Sequence, residues 1–394
     1  MKKRILAWVL ALVMIVGLLP TVALAAELDG SGTENDPYLI TSADDLAAFR
    51  DKVNATKKGT SNLCATLTAN IELSGEWTPI GKYNSYSDYT YYAGTFDGAG
   101  HTISGLHIDN DKRYQALFGY VKGGTIKNLT VEGSVKTSAT SSPYAAGIVA
   151  YGYPVTMENC TNRASVTATN KGYAAGVAAY AYTGSSLTGC MNFGSITSEG
   201  KSGAYEYYVG GVVATATGTT IERCANFGTV TSALKRTAGI AGSYGGNGSI
   251  TLCVNSGAIT GAYEIGGIVG GVSGAKTTIE NCYNLGSVTC NTPNQPISEE
   301  YAKGVGGIVG DPTSTSNTAT VANCYNAGTI TNNDSTTADI TVGGIVGSSA
   351  GKNSSGVATE GLITMKNCYY LSQGELTGDG AAADTAELVA KSET

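Results

Sequence analysis

Cysteine is the residue type with the most regular spacing in this sequence, and it can support disulfide, metal or redox chemistry. The chain holds nine cysteines, and seven of them recur at one position of an internal repeat. In six of these seven copies an asparagine follows two residues later. The cysteines are Cys160, Cys190, Cys224, Cys253, Cys282, Cys324 and Cys368, and the asparagines are Asn162, Asn192, Asn226, Asn255, Asn284 and Asn326. Cys64 and Cys290 lie outside the pattern, and the sequence assigns them no role.

The recurring cysteines could pair as disulfides, bind a metal or form a buried stack of thiols. Metal-binding cysteines usually occur in CxxC pairs or beside histidines, and the sequence has neither pattern. Disulfides are available to an exported protein, but side chains in parallel register give poor torsion geometry for the bond. The spacing therefore favours a structural core stack of reduced cysteines, with disulfides as the alternative and with no metal or cofactor.

Tyrosine is the second residue type with a repeating position. The chain has 24 tyrosines against five phenylalanines and two tryptophans. One set stands three residues before a repeat glycine, and two pairs form a second matched set. The candidate ligand-binding residues are Tyr144, Tyr173 and Tyr208 in the first set and Tyr151, Tyr153, Tyr180 and Tyr182 in the second. Exposed rows of these rings would suit sugar rings or protein partners, whereas the alternative is an external ladder that only stabilises the coils.

Residues for acid–base catalysis are scarce. The only histidines are His101 and His107, and no paired carboxylates of the kind used by glycosidases accompany them. Asp97 precedes Gly98 and is expected to be a turn residue. The acidic stretch 109–111 could bind calcium weakly, although a solvated turn is the simpler interpretation. No catalytic residue is predicted, and the chain is expected not to be an enzyme.

The repeat predicts short strands joined by turns. A typical unit, residues 266–289, reads as three strands: a Gly-Gly-Ile-Val-Gly run, a segment from Thr278 through the Cys-x-Asn, and a Gly-x-Val-Thr segment. Strands this short cannot bury a face alone, but identical units stacked about 4.8 Å apart can pair strand with strand. In a degenerate copy Leu129 and Val131 replace the cysteine and the asparagine, so both positions should face the core. The asparagines are then expected to hydrogen-bond along the stack.

The ends of the chain have a different composition from the repeats. Residues 1–25 have the basic start, apolar run and Ala-x-Ala site of a secretory signal peptide. Their removal would change the net charge from −7 to −10, which argues against nucleic acid and anionic membranes as partners. Residues 26–112 are expected to form an N-terminal cap with first strands and one short helix that begins near Ser42. Residues 113–371 are the repeat region. The polar tail 372–394 has no LPxTG-type sorting signal, which leaves open that the chain is part of a longer protein.

The Gly-Gly-Ile-Val-Gly and Asn-Cys-Tyr-Asn units resemble the GLUG-motif repeats of bacterial surface proteins. Residues 30–40, 76–81 and 94–103 resemble the usual entry to such regions, so the resemblance covers nearly all of residues 28–371. It implies an all-β, right-handed parallel β-helix (a β-solenoid) on a secreted or wall-associated protein, often adhesin-like. It implies no defined activity, and the HExxH motif of some metalloprotease relatives is missing from this sequence.

Three functions follow from these patterns. The leading one is a non-catalytic secreted or cell-surface module, adhesive or structural, with no membrane insertion after signal cleavage. The second is a carbohydrate-binding module that uses the tyrosine rows, with glycans or extracellular-matrix surface proteins as partners. The third, a polysaccharide lyase or glycoside hydrolase, would need clustered carboxylates and a basic residue in one groove.

Overall fold

The computed structural model describes residues 27–200, 207–233, 235–273, 276–291, 303–313, 318–333, 340–348 and 362–371, together with three short strands at 351–352, 358–359 and 381–383. The predicted signal peptide at 1–25 and most of the predicted tail at 372–394 lie outside these ranges. The described residues form a parallel β-solenoid with a single helix. The all-β solenoid fold expected from the repeat is confirmed.

Each repeat coil passes through four sheets, which we number in the order in which the chain visits them. Sheet 1 contains Tyr114–Gln115, Tyr144–Ala146, Tyr173–Ala175, Val209–Gly210, Thr237–Ala238, Ile265–Gly266, Gly304–Gly306 and Thr341–Gly343. Sheet 2 contains Gly59–Ser61, Lys82–Ser85, Asp88–Tyr92, Phe118–Val121, Val149–Gly152, Ala178–Ala181, Val213–Thr217, Ala241–Gly245, Val269–Val272 and Val309–Pro312.

Sheet 3 is the longest regular path, with eleven strands. They are Tyr38–Ile40, Ala65–Leu67, Thr95–Asp97, Gly124–Lys127, Val155–Glu158, Ser186–Thr188, Thr220–Glu222, Ser249–Thr251, Thr277–Glu280, Ala319–Ala322 and Ile363–Lys366. Its inner column, which includes Ile126, Ile221 and Ile279, is fully buried. Eleven stacked strands span about 48 Å at about 4.8 Å per coil.

Sheet 4 receives two short strands from most coils. It contains Ile71–Glu72, Thr102–Asn110, Thr130–Thr137, Thr161–Asn162, Ser165–Ala168, Met191–Asn192, Ile196–Ser198, Ala225–Asn226, Val230–Ser232, Val254–Asn255, Ile259–Gly261, Tyr283–Asn284, Val288–Cys290, Tyr325–Asn326, Ile330–Asn332, Tyr369–Leu371 and Ala381–Ala383. A separate antiparallel pair joins Gly351–Lys352 to Ala358–Thr359.

The number of strands per coil differs from the prediction. A coil such as 265–290 contains five strands rather than three. Asn281 has a φ of 55° and turns the chain just before Cys282, so the strand that holds Thr278 ends at Glu280. The Gly267–Ile268 pair is likewise a bend between sheets 1 and 2, not the middle of a strand. The expectation that one strand runs from Thr278 through the Cys-x-Asn is therefore wrong.

The N-terminal helix, α1, spans Ala43–Ala55, as the capping pattern predicted. The Ser42 hydroxyl accepts a hydrogen bond from the Asp45 backbone N–H at 3.2 Å, which satisfies one of the free donors of the first turn. Leu46, Phe49 and Val53 are buried. The Phe49 ring lies 6.1 Å from the Tyr92 ring and 5.9 Å from the Phe96 ring, so the helix closes the apolar core at this end.

The first strands of the solenoid lie within residues 26–112, the segment predicted as cap and first strands. Thr95–Asp97 pairs in parallel with Ala65–Leu67 on one side and with Gly124–Lys127 on the other. The sheets therefore continue without a break from the predicted cap into the repeats. No helix in the described ranges has the length and apolar character needed to cross a bilayer.

Candidate binding surface

The six repeat asparagines form a hydrogen-bonded ladder inside the solenoid. Asn192 Nδ2 donates to Asn226 Oδ1 at 2.8 Å, and Asn226 Nδ2 donates to Asn255 Oδ1 at 2.8 Å. The same bond joins each neighbouring pair from Asn162 to Asn326, and all six side chains are fully buried. Each Nδ2 also donates to the carbonyl two residues later, as Asn226 does to Gly228 O at 2.9 Å. Burial of these amides is therefore balanced by hydrogen bonds within and between coils.

The seven repeat cysteines lie beside this ladder in the core. All nine cysteines of the chain are free and buried. A typical thiol, Cys282, donates to Ile250 O in the preceding coil at 3.5 Å and to Glu280 O at 3.3 Å. Burial raises the pKa of the Cys224 and Cys253 thiols well above the ordinary range, so both are protonated at neutral pH.

The two cysteines outside the stack also have local partners. Cys64 Sγ accepts from the Thr95 backbone N–H at 3.3 Å, and Cys290 Sγ donates to Ala262 O at 3.0 Å. Both thiols thus satisfy backbone groups at turns.

Thiol counting is expected to show nine free cysteines. The chain, purified from an oxidising compartment without reductant, should react with nine equivalents of a thiol reagent after unfolding and with almost none while folded, because the thiols are buried. Mass spectrometry after alkylation locates each reactive position. A deficit of thiols in multiples of two would show that neighbouring coils are cross-linked and would contradict the reduced stack.

The first tyrosine row lies on the outer face of sheet 1. Tyr144 and Tyr173 are paired in register, with ring centroids 4.6 Å apart and ring planes 7° apart. Tyr114 extends the row by one coil, with its ring 5.3 Å from the Tyr144 ring. The sequence prediction omitted Tyr114 because Leu117 replaces the glycine of that degenerate repeat. An alanine two residues after the tyrosine is shared by both repeats (Ala116 after Tyr114, Ala146 after Tyr144), and aligning the repeats on it would have identified Tyr114.

A second row stands on the outer face of sheet 2. Tyr151 stacks on Tyr180 at 4.7 Å, and Tyr120, which the prediction also omitted, stacks on Tyr151 at 4.8 Å. The rings of the two rows meet nearly at right angles, as Tyr144 and Tyr151 do at 5.3 Å and 85°. The first row packs on buried alanines, Ala116, Ala146, Ala150 and Ala179, whose small side chains leave room for the rings.

Tyr208 does not continue the first row as an exposed platform. Its side chain is 5% exposed, and its ring meets the Tyr173 ring edge-on at 5.6 Å and 78°. The Arg236 guanidinium lies over the Tyr208 ring at 4.6 Å, and its Nε donates to Glu264 Oε2 at 2.5 Å. The prediction that Tyr208 belongs to an exposed row is therefore wrong, because a buried ion pair occupies the same corner in the next coils.

Tyr153 and Tyr182 form a separate stacked pair at 4.5 Å, and Tyr153 is 36% exposed. The tyrosines of the hairpin 82–92 divide between surface and core, since Tyr86 is 79% exposed and Tyr92 is fully buried. The structure therefore brings together six of the seven predicted tyrosines as stacked neighbours.

The stacking decides what these rows can bind. A sugar ring usually packs on the flat face of an aromatic ring, but the faces in each row are turned toward the neighbouring coils and cover one another. Within the rows only ring edges and hydroxyl groups remain for a ligand, and the row on sheet 2 ends where Thr215, which is 8% exposed, follows Tyr180. The spacing of 4.6–4.8 Å is that of the coils, which favours the stabilising role of the ladder.

The tyrosine rows should make the fold sensitive to alkali. Burial raises the pKa of Tyr120, Tyr144 and Tyr151 above the ordinary value of about 10. The unfolded chain then ionises first, so stability is complete below about pH 10 and falls as the pH rises above it. Urea unfolding at pH values from 8 to about 11 checks this expectation. The double variant Tyr144→Phe, Tyr151→Phe should lose less stability across that range, and an unchanged slope would contradict the assignment.

The histidines and acidic residues of the first coils have ordinary structural partners. His101 Nδ1 lies 3.3 Å from Asn70 Oδ1, and His107 Nδ1 lies 3.2 Å from Ser134 Oγ. Asp97 accepts a hydrogen bond from the Ala99 backbone N–H at 2.8 Å. Partial burial raises the pKa of the Asp97 carboxyl, but this hydrogen bond and others outweigh the effect of burial and hold the pKa below its usual range.

Two residues of the stretch 109–111 also have side-chain partners. Asp109 pairs with Lys136 at 3.2 Å, and Asn110 bonds to Gln115 at 3.1 Å. Among the described residues no group of three or more His, Cys, Asp or Glu side chains is arranged to hold a metal ion.

Comparison with known proteins identifies the repeat. The family described as "The GLUG motif" matches residues 261–289, which correspond to one coil through sheets 1 to 4. The same strand register recurs in the coils before and after it. The chain carries the GLUG motif at residues 261–289.

One curated protein and one solved structure are similar to this chain. Halomucin of Haloquadratum walsbyi is 30% identical over 151 residues, which are 37% of this chain but only 2% of halomucin. The crystal structure of a candidate immunoglobulin A1 protease from Bacteroides ovatus aligns over 92% of this chain and 88% of its own, with 19% identity and a TM-score of 0.47.

Proposed function

We propose that this GLUG-repeat chain is a non-catalytic module of a secreted or cell-surface protein, with a structural or adhesive role. The observation that carries the proposal is the unbroken stack of coils, in which eleven strands of sheet 3 and a six-residue asparagine ladder follow one axis. Such a stack transmits load along hydrogen bonds at every coil and holds side chains at fixed spacing over about 48 Å. That suits a spacer or a presenting surface.

An extracellular setting is supported by two independent observations. The first 25 residues have the layout of a secretory signal peptide. The similarity to a short part of halomucin fits a surface or secreted protein.

The test combines location, shape and activity. Expressed in a bacterial host, the full chain should reach the medium or the cell surface with Ala26 as its new N-terminus, whereas a chain without residues 1–25 should stay inside. X-ray scattering of the purified mature chain should give an elongated particle. Retention of the full chain in the cytoplasm, a collapsed shape, or release of sugar products from a panel of polysaccharides would contradict the proposal.

A further inference from the structure

Most outward columns of the solenoid are polar. On sheet 3, Thr156, Ser186, Thr220, Ser249 and Thr278 follow one another in register. On the second strands of sheet 4 the outward column is Thr167, Thr197, Thr231, Thr260 and Thr289. Threonine suits a solvent-facing strand because it is both β-branched and polar, so these columns need no ligand to explain them.

A column in the bend between the paired short strands of sheet 4 departs from this rule, as does the half-buried column that holds Met191, Val254 and Tyr283. The members of the column in the bend follow the ladder asparagines by one residue, and each donates its backbone N–H to the preceding coil, as Phe227 does to Asn192 O at 2.8 Å. Phe193, Phe227 and Leu285 are 39%, 44% and 48% exposed. Three large apolar side chains in one column are more informative than the same number scattered over the surface. The full column is Arg163, Phe193, Phe227, Ser256, Leu285 and Ala327.

The aromatic part of this column is a short ladder that ends beside a gap. The Arg163 guanidinium lies 4.6 Å over the Phe193 ring, and the Phe193 and Phe227 rings stack at 4.8 Å and 14°. One face of the Phe193 ring is thus covered by Arg163 and the other by Phe227. The remaining face of Phe227 points toward the next coil, where the equivalent residue is Ser256 and is exposed. The ladder lacks one ring at this position.

The gap is a notch that extends over one coil along the solenoid axis and over two neighbouring side-chain columns around it. Phe227 and Leu285 lie two coils apart, about 9.6 Å, so a single ring placed over Ser256 would sit one normal stacking distance from each. The neighbouring column is also small in this coil, where Ala258 is exposed between Thr229 and Ser287 of the flanking coils. The notch therefore lies between the ring face of Phe227 on one side and Leu285 on the other, and the neighbouring column supplies the hydroxyl groups of Thr229 and Ser287.

Size and charge restrict the occupant. The two columns cover about 29 Å by about 13 Å over six coils, roughly 380 Å², which is less than half of the about 800 Å² that each partner buries in a stable protein complex. In the Phe227 coil the charges of Arg223 and Glu222 cancel in an ion pair, and in the Leu285 coil Glu280 accepts a hydrogen bond from Asn323, so no uncompensated cation stands beside the notch among these residues. An uncharged, narrow ligand matches this surface better than a second protein or a polyanion.

We infer that the notch over Ser256 binds a pyranose ring of a neutral glycan. The ring packs one face on the exposed face of Phe227 and the other against Leu285, and its hydroxyls reach those of Ser256, Thr229 and Ser287. This combination of an aromatic face with polar groups at the ring edge is what sugar recognition requires. The inference is independent of the structural role proposed above, because a solenoid that binds no glycan would still act as a spacer.

The test uses one variant that fills the notch and another that removes its aromatic side. The mature chain is applied to an array of neutral glycans, and the strongest ligand is titrated calorimetrically. Ser256→Phe supplies the missing ring and should abolish binding without lowering the melting temperature. Phe227→Ala should weaken binding at least about tenfold, equivalent to about 1.4 kcal/mol. Phe193→Ala is the matched control, since both of its ring faces are already covered, and should change affinity by less than about threefold.

Several results would overturn the inference. They are the absence of any neutral-glycan ligand for the wild-type chain, unchanged affinity in Ser256→Phe, or equal losses in the Phe193→Ala and Phe227→Ala variants. Preference for an acidic glycan would also contradict it. A concentration-dependent dimer that is lost in Ser256→Phe would assign the notch to a second copy of the chain instead.

Discussion

Replacement of Asn226 by alanine is expected to lower the free energy of unfolding by about 4 kcal/mol. The Asn226 amide donates to Gly228 O and Asn255 Oδ1 and accepts from Asn192 Nδ2, all at 2.8–2.9 Å in a fully buried position. Alanine would remove the donor to Gly228 O, the donor to Asn255 Oδ1 and the acceptor of one Asn192 Nδ2 hydrogen, although Asn192 keeps its bond to Gly194 O; each lost bond costs about 1–3 kcal/mol. No water can reach the site freely, because the flanking asparagines and glycines enclose it.

Urea unfolding followed by circular dichroism measures this loss, and hydrogen exchange shows which coils open. Thr231→Ala is the control, because Thr231 lies on the next strand of the same coil and is exposed. It should change stability by less than about 0.5 kcal/mol. A loss below about 1 kcal/mol in Asn226→Ala would mean that the ladder contributes little beyond the sheets themselves.

Replacement of Gly257 by alanine should be at least as damaging, for a steric reason. A Cβ atom at Gly257 would lie 1.9 Å from Gly228 O and 2.7 Å from Asn226 Nδ2. The contacted oxygen belongs to the backbone of the preceding coil, which cannot move without disturbing the stack. The same close approach recurs at Gly228 and Gly286, so the coil spacing is set by glycine at this column. We expect a loss of more than about 3 kcal/mol or failure to fold.

Gly75→Ala separates this steric effect from the general effect of replacing glycine. Gly75 has a φ of 76°, but a Cβ atom there would meet no atom within 4 Å. Its replacement should cost only about 1–2 kcal/mol from the unfavourable backbone conformation. The comparison uses melting temperatures and soluble yields of both variants. Equal losses would show that the close approach at Gly257 is relieved by a small shift of the coils.

The proposed binding notch illustrates what the sequence pattern could not reveal. Recurrence of an aromatic residue at one repeat position favoured the tyrosines as the binding surface. Regular recurrence is also what buries ring faces against one another, as Tyr144 and Tyr173 show at 4.6 Å. A notch arises instead where the pattern is interrupted, at Ser256 beside Phe227. Its recognition requires the register of neighbouring coils.

The sequence by itself determined that this protein is a solenoid with cysteine and asparagine at two repeating core positions. It could do so because a one-dimensional stack repeats the same local environment in every coil, so that residue identity reports burial directly. The degenerate copy with Leu129 and Val131 was sufficient to place both columns inside, and Ser42 was sufficient to mark the start of helix α1.

Only the tertiary structure decided the corners and the surface. The turn at Asn281, with its φ of 55°, separates Cys282 from the preceding strand. Such turns divide each coil into five strands, where the sequence predicted three. Burial of Tyr208 depends on Arg236 and Glu264, which occupy the equivalent position in the next two coils but have unrelated side chains. Tyr208, Arg236 and Glu264 are 28 residues apart in sequence and become neighbours when the coils stack, so the repeat aligns them but only the packing between coils shows that they bury one another.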